Sequence, residues 1–268
     1  MLMTGEEHER FKRQMLHDGF DELSQARLRA STVLLAGVGG LGGAIAYALA
    51  GAGVGKIIIV HSGALTESNL NRQSLMPDGG VGQSRALLAR RRLQEYSRFT
   101  RVEAHDIPIT EHALEPLLRD VDLVIDARHN FPERRELNRA ALGHGLPLLF
   151  AAMNGLEAQM ALFVPGVTGC LDCLYPENPP DWEPFGFPVF GAVSHAIGAM
   201  AGMEAIKRLA GYGAPARGLV TMNLADYRTR IFPLRPVTDC PTCARATCAH
   251  HQHHIKEHRD AGIGACHV

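Results

Sequence analysis

Three sets of residues in this chain have types and spacings that could do chemistry. The first is a glycine series, Gly37, Gly39 and Gly42 in "AGVGGLGG", which fits the pattern GxGxxG. Glycines so placed let backbone N–H groups approach a phosphate at the start of a helix. The second is a polar series: Asn69, Arg72 and Gln73 in "ESNLNRQ", Arg85 in "VGQSR", and Asp126 and His129 in "DARHN". Two arginines near one phosphate site suit a triphosphate, because guanidinium forks match phosphate oxygens. The third is a double CxxC, Cys170 with Cys173 and Cys240 with Cys243. Four thiolates in two such pairs match a closed tetrahedral zinc site with no position left open for water. The competing readings are surface charge for the arginines and redox chemistry for the cysteine pairs. Neither pair is placed to begin a helix in a thioredoxin-like pattern, which favours metal.

These residues need elements to hold them. "STVLLAGV" reads as a short buried strand that ends in the glycines, "GGAIAYALAGAGVG" as a small-residue helix, and "KIIIVH" as a second strand. Further on, "RALLARRRLQEY", "EHALEPLLRDV" and "PERRELNRAALGHG" read as helices that alternate with the strands "RVEAHDI", "DLVIDA" and "LPLLFAAM". Such alternation predicts a parallel, doubly wound, Rossmann-like sheet. Ligands then sit at the carboxyl ends of the strands, where the glycine turn, the long loop after His61 and "DARHN" all fall. Beyond residue 152 the strands "EAQMALFVPG" and "GLVTMNLADYRTRIFPL" alternate and predict an antiparallel continuation, with a helix over "GAVSHAIGAMAGMEAIKRLAGYG" between them. The organisation read from this is an N-terminal helical arm (1–30), a Rossmann-like nucleotide-binding part (31–152) and an antiparallel and helical part carrying the cysteines (153–247). The last two form one compact domain. A flexible tail (248–268) follows, with Cys248, Cys266 and six of the 14 histidines.

Composition removes several alternatives. With 268 residues, 46% hydrophobic, the chain is long enough for one large α/β core. A formal net charge of −1 gives no electrostatic case for nucleic acid. No apolar run reaches the length of about 18 residues needed to span a bilayer, and the start is polar, so a cytoplasmic location is expected. A lone GxGxxG is a weak signal. Here it follows a strand and opens a helix, which favours a nucleotide over a merely structural turn. A dinucleotide is disfavoured: the second strand runs into His61, where such units usually carry the acid that holds the ribose.

The phrases "GVGGLGG", "SNLNRQ", "VGQ", the two CxxC pairs and "EAIKRLAGYG" resemble, in order, those of the MoeB/ThiF/HesA family, the bacterial relatives of ubiquitin-activating enzymes. The resemblance runs from about Arg10 to Cys243. "HSGALTESNLNRQSLM", "DARHNFPERRELN" and "CLYPENPPDWEPFGFPVFGAVS" are most like its HesA branch, which is associated with nitrogen-fixation gene clusters. The resemblance implies a homodimer that uses ATP and Mg²⁺ to adenylate a carboxyl terminus, usually that of a small ubiquitin-like sulfur carrier. It places Gly39, Gly40 and Gly42 at the phosphates, Asn69, Arg72 and Gln73 on ATP, and Arg13 across the dimer on the partner's triphosphate. It implies zinc for the four cysteines.

Three positions depart from the family pattern. Arg85 stands where the family usually has lysine. His61 replaces the ribose acid, and His129 replaces the Mg²⁺-binding aspartate. The nearest remaining carboxylate is Asp126, expected to stand in for the lost metal ligand. Some relatives carry a cysteine in the crossover loop that forms a covalent link to the carrier; "LYPENPPDWEPFGFPVFGAVSH" has none. The expected activity is therefore ATP-dependent adenylation without a thioester step, with slow Mg²⁺-dependent turnover. The alternative is a nucleotide-binding accessory or metal-delivery protein for nitrogenase cofactor assembly.

Overall fold

The computed structural model describes residues 3–178 and 186–243. The expected tail, with Cys248, Cys266 and its histidines, lies outside them. The chain forms α1 (Gly5–Met15), α2 (Glu22–Ala30), β1 (Thr32–Ala36), α3 (Gly40–Ala52), β2 (Lys56–Val60), α4 (Arg85–Tyr96), β3 (Arg101–His105) and α5 (Glu111–Leu114). It continues through β4 (Leu123–Asp126), α6 (Phe131–Gly143), β5 (Leu148–Asn154), β6 (Glu157–Phe163), α7 (Leu171–Leu174), α8 (Gly191–Ala210), β7 (Leu219–Asn223) and β8 (Arg228–Phe232). All eight strands share one sheet, in the order β3-β2-β1-β4-β5-β6-β7-β8. The first five are parallel, and β6, β7 and β8 run antiparallel. The sequence predicts this change of texture at the same place.

The strand alternation decides the layers. Val33 and Leu35 of β1, with Ile57 and Ile59 of β2, face α3, α4 and α8. Leu34 and Ala36, with Ile58 and Val60, face the opposite layer, which holds Leu114 and Leu137. Both faces are covered, so these strands are apolar on both sides, as parallel strands in such sheets must be. Helices α3 and α8 approach closely because both carry small residues. A Cβ added at Gly198 would lie 2.6 Å from the Ala44 Cβ, and one at Gly202 would lie 2.6 Å from the Ala48 Cβ. That contact brings Ser194 of α8 next to Gly40 at the start of α3, where an added Cβ would be 3.0 Å away.

One local expectation is sharpened and one is corrected. The N-terminal arm, read only as helical over 1–30, is two helices. Gly19 at φ +77° reverses the chain between them, and Asp21 caps α2 by accepting the Ser24 N–H at 2.9 Å. The helix read over "EHALEPLLRDV" is one α-helical turn followed by a 3₁₀ turn, Glu115–Leu117. Pro116 has no N–H to extend the α-helical ladder. Among the described residues no helix is long and apolar enough to cross a membrane.

Candidate functional site

The strand order places the topological switch between β1 and β4, and the crevice there is where open α/β sheets bind ligands. A cavity of about 1250 Å³ occupies it and extends over the ends of β5, β6 and β7. Its floor is the start of α3. Gly39 is the N-cap and makes no side-chain capping bond, so the first N–H groups of the helix face the cavity beside Gly40 and Leu41. The glycines divide the work. Gly39 and Gly40 line the cavity. Gly37 and Gly42 shape the turn beneath it: Gly37 sits at φ +102°, and a Cβ on Gly42 would lie 2.0 Å from the Gly37 carbonyl oxygen. Gly37 and Gly42, read from the sequence with Gly39 and Gly40 as cofactor-binding, do not line the cavity.

The long loop supplies the next wall. A 3₁₀ turn, Glu67–Asn69, is closed by Asn69, whose Oδ1 accepts the Thr66 N–H at 3.2 Å. Arg72 is held by the Ser68 carbonyl at 2.7 Å and Asn71 Oδ1 at 2.8 Å. Gln73 is buried, and its Oε1 has no hydrogen-bond partner. Arg85, the first residue of α4, reaches back to the Gly63 carbonyl at 3.3 Å. All four line the cavity. Burial disfavours the charge on Arg72 and Arg85, and for Arg85 the nearby Arg128 and Arg72 add to it. The charge of Asp106 opposes this in part for Arg85.

The loop after β4 holds residues that sequence reasoning passed over. Arg128 is buried, bonded to Glu133 Oε2 through Nε at 2.9 Å and Nη2 at 2.7 Å, and its Nη1 lies 2.6 Å from His61 Nδ1. A guanidinium can only donate, so His61 Nδ1 must accept and the ring proton sits on Nε2. That Nε2 is buried and has no partner. Burial, then the charges of Arg128 and Arg85, hold the His61 pKa well below the usual histidine range. Burial and Arg128 likewise lower His129, to about 4. Both rings are neutral at pH 7, and both line the cavity.

Asp126 does something other than the sequence suggests. It is fully buried, its Oδ1 accepts the Arg128 N–H at 2.9 Å, and its Oδ2 pairs with Arg134 Nη1 at 2.8 Å. It does not line the cavity. The expectation that Asp126 stands in for the carboxylate absent at position 129 is therefore corrected: both its oxygens are engaged within the protein. Arg13 is exposed on α1 and lies outside this cavity.

The four cysteines converge although two lie before α8 and two after β8. Their sulfurs all lie within 4.8 Å of one another. The pairs Cys170–Cys173, Cys170–Cys240 and Cys173–Cys243 are 3.9, 3.7 and 3.4 Å apart. Ligands at a Zn–S distance of 2.3 Å on a tetrahedron stand about 3.8 Å from each other, so the set fits a zinc ion. Cys170 also caps the short helix α7, so the first pair does begin a helix, of one turn only. Asp172, between the two cysteines, accepts from Arg135, Asn138 and Thr242 and ties the two pairs to α6. Arg135 also donates to the Tyr175 carbonyl at 3.0 Å, and Tyr175 packs on Phe131 and Phe150 as part of the cavity wall.

The profile of the ThiF family matches residues 11–242. The chain belongs to the ThiF family. It is 43% identical to the protein HesA of Leptolyngbya boryana over 242 residues, 90% of this chain and 87% of that one. It is 38% identical to the sulfur carrier protein adenylyltransferase of Thermus thermophilus, over 91% of this chain and 93% of that one. The crystal structure of Escherichia coli MccB with ATP superposes with a TM-score of 0.78 at 22% identity, covering 87% of this chain and 74% of that one. The last likeness shows a shared fold. The ThiF family assignment agrees with the resemblance carried by the glycine turn, the "SNLNRQ" loop and the paired cysteines.

Proposed function

We propose that this ThiF-family chain adenylates the C-terminal carboxylate of a small ubiquitin-like sulfur carrier. The observation that carries the reading is the uncapped start of α3 opening into a cavity beside Arg72 and Arg85. The triphosphate of ATP would lie against those N–H groups, with the two guanidinium groups on its outer oxygens. The carboxylate oxygen attacks the α-phosphorus, the bond to the β-phosphate oxygen breaks, and pyrophosphate leaves with the electron pair. No protein nucleophile is needed, and no cysteine lies between Cys173 and Cys240 to supply one. Positioning and charge neutralisation carry such a step. The unpartnered His61 Nε2–H and Gln73 Oε1 offer a donor and an acceptor for sugar hydroxyls or base.

Pyrophosphate exchange into ATP, with a carrier ending in Gly-Gly, tests the reading. Arg72→Ala should lower the exchange rate by about 10²–10³, the usual cost of one charge-stabilising contact, while leaving the fold intact by circular dichroism. Equal exchange in both chains would overturn it. ATP binding with no exchange under any carrier would favour the second reading, a nucleotide-binding accessory or metal-delivery protein. The replacement of two expected carboxylates by neutral histidines is what keeps that reading in play.

The same proposal includes a cytoplasmic homodimer, a link to nitrogen fixation by likeness to HesA, and zinc on Cys170, Cys173, Cys240 and Cys243. Bound zinc would staple the segment before α7 to the one after β8 and take no part in the reaction. In the dimer, Arg13 serves the partner's triphosphate. Arg13→Ala and Arg72→Ala chains, each inactive alone, should regain exchange when mixed and allowed to re-equilibrate, because each heterodimer holds one intact site. A mixture as inactive as its parts would show that Arg13 does not act in trans.

A further inference from the structure

Among the described residues, those around the phosphate end of the cavity do not fit Mg²⁺. Magnesium demands hard oxygen ligands, commonly one or two carboxylates together with phosphate oxygens and water. Asp126 is fully buried and holds Arg134 and the Arg128 N–H. Glu133 is spent on Arg128 through two donors and on Asn130. Asp106 is exposed outside the cavity and accepts the Gly63 N–H at 3.3 Å. Among the described residues, the carboxylates that do line the cavity are Glu157 and Asp226. Glu157 opens β6 opposite Asn154, two strands from β4 and four residues beyond the level at which Phe150 pairs with Asp126. At strand spacings of 4.8 Å and 3.3 Å per residue, that is about 10 Å sideways and 13 Å forward. Asp226 sits past the end of β7 on the same side and is paired to Arg228 at 3.1 Å.

The charge balance points the other way. Around the start of α3 and the loop after β4, Arg128 and Arg134 are paired with Glu133 and Asp126, while Arg72 and Arg85 line the cavity without a salt-bridge partner among the described residues, and the exposed Asp106 acts on Arg85 from outside it. His61 and His129 add no charge at neutral pH. The excess positive charge facing the cavity is therefore that of Arg72 and Arg85, offset in part by Asp106, and stands where a divalent cation would otherwise act. It is fixed in place by the carbonyls of Ser62, Gly63 and Ser68. We infer that this site takes its polyphosphate as the free anion, with Arg72 and Arg85 meeting the charge that a divalent cation would otherwise meet. The inference rests on the reading of the cavity as an ATP site.

Calorimetric titration of the full chain with ATP, once in EDTA and once in excess Mg²⁺, tests it. The affinity in EDTA should equal or exceed that in Mg²⁺, since chelation of the nucleotide by Mg²⁺ cancels charge the site is built to hold. A tenfold or greater loss of affinity in EDTA, with good binding in Mg²⁺, would overturn this inference and leave the ATP reading standing. Absence of binding in both buffers would overturn both. A second arm uses Mn²⁺ as a paramagnetic probe: enhancement of water proton relaxation on forming the ternary complex should be small in the parent and should rise in His129→Asp. A strong enhancement in the parent would place a metal in the site and defeat the inference.

Discussion

A Cys240→Ser chain is expected to purify with most of its metal gone and a lower melting temperature, against about one Zn²⁺ per parent chain on the Cys₄ pattern. Cys240 is buried, and its sulfur lies 3.7 Å from that of Cys170. Burial pushes the Cys170 thiol up to about 11, so without a cation it keeps its proton. A structural zinc in a small finger peptide contributes on the order of 10–16 kcal/mol of apparent binding free energy. That is an upper limit here, because both layers of the sheet have cores of their own and the cysteines form a separate small cluster with Leu142. The loss should appear first as local opening. Limited proteolysis near residues 164–178 and 233–239 should accelerate before the main transition falls. Metal analysis finding no zinc in freshly purified, reduced parent protein would refute the assignment. So would a Cys240→Ser variant with unchanged metal content and melting temperature.

The parts of this molecule that were legible in the sequence are those where one residue type has few uses. A glycine series between an apolar strand and a small-residue helix has one common geometry, and β1, the turn and α3 follow it. Paired cysteines in a chain expected to be cytoplasmic point to metal, and the four sulfurs meet although about 70 residues separate them, as the spacing of Cys170 and Cys240 shows. Arg128 stayed hidden for the opposite reason. In a chain whose 27 basic residues include only four lysines, one more arginine carries no signal. Its role depends on Glu133 and His61 arriving from α6 and from the end of β2, contacts that no local pattern encodes. The helix break at Gly19 did have a signal, the Asp18-Gly19 pair before a capping Asp21, and the reading of a single helical arm passed over it.

The misplacement of Asp126 has a simple cause. In a strand, successive side chains point to opposite faces. Asp126 closes β4 in register with Ala36 and Phe150, two residues of the α5–α6 layer, so its carboxylate turns into that layer rather than up into the crevice. Proximity in sequence to position 129 was no guide to direction.

That geometry yields the second large effect. Arg134→Met should destabilise the protein by about 3–5 kcal/mol, the cost of breaking a buried pair by removing one partner. Asp126 is left fully buried with the Arg128 N–H as its hydrogen bond and only the Arg128 guanidinium charge nearby. Burial already raises its pKa, and Arg134 is the main influence pulling it back. Without that guanidinium the pKa rises further, so the carboxyl takes up a proton. A raised folded pKa contributes stability below the unfolded value near 3.9 and loses it as the pH climbs through the folded one. The deficit of the single variant should therefore shrink as the pH falls toward 4. Asp126→Asn combined with Arg134→Met removes both charges and keeps an acceptor for the Arg128 N–H, so it should cost less than Arg134→Met alone. Urea titrations at pH 7 and pH 5 with unchanged m-values would measure all three. The comparison also separates two jobs for one carboxylate. If Asp126 is an internal tie, an Asp126→Asn chain keeps its affinity for ATP whatever stability it loses, since neither oxygen faces the cavity and the cavity-lining Arg134 is retained. An Asp126→Asn chain near parental stability that no longer binds ATP would instead make Asp126 a ligand of the nucleotide or its metal, and the buried pair would be a resting arrangement that opens on binding.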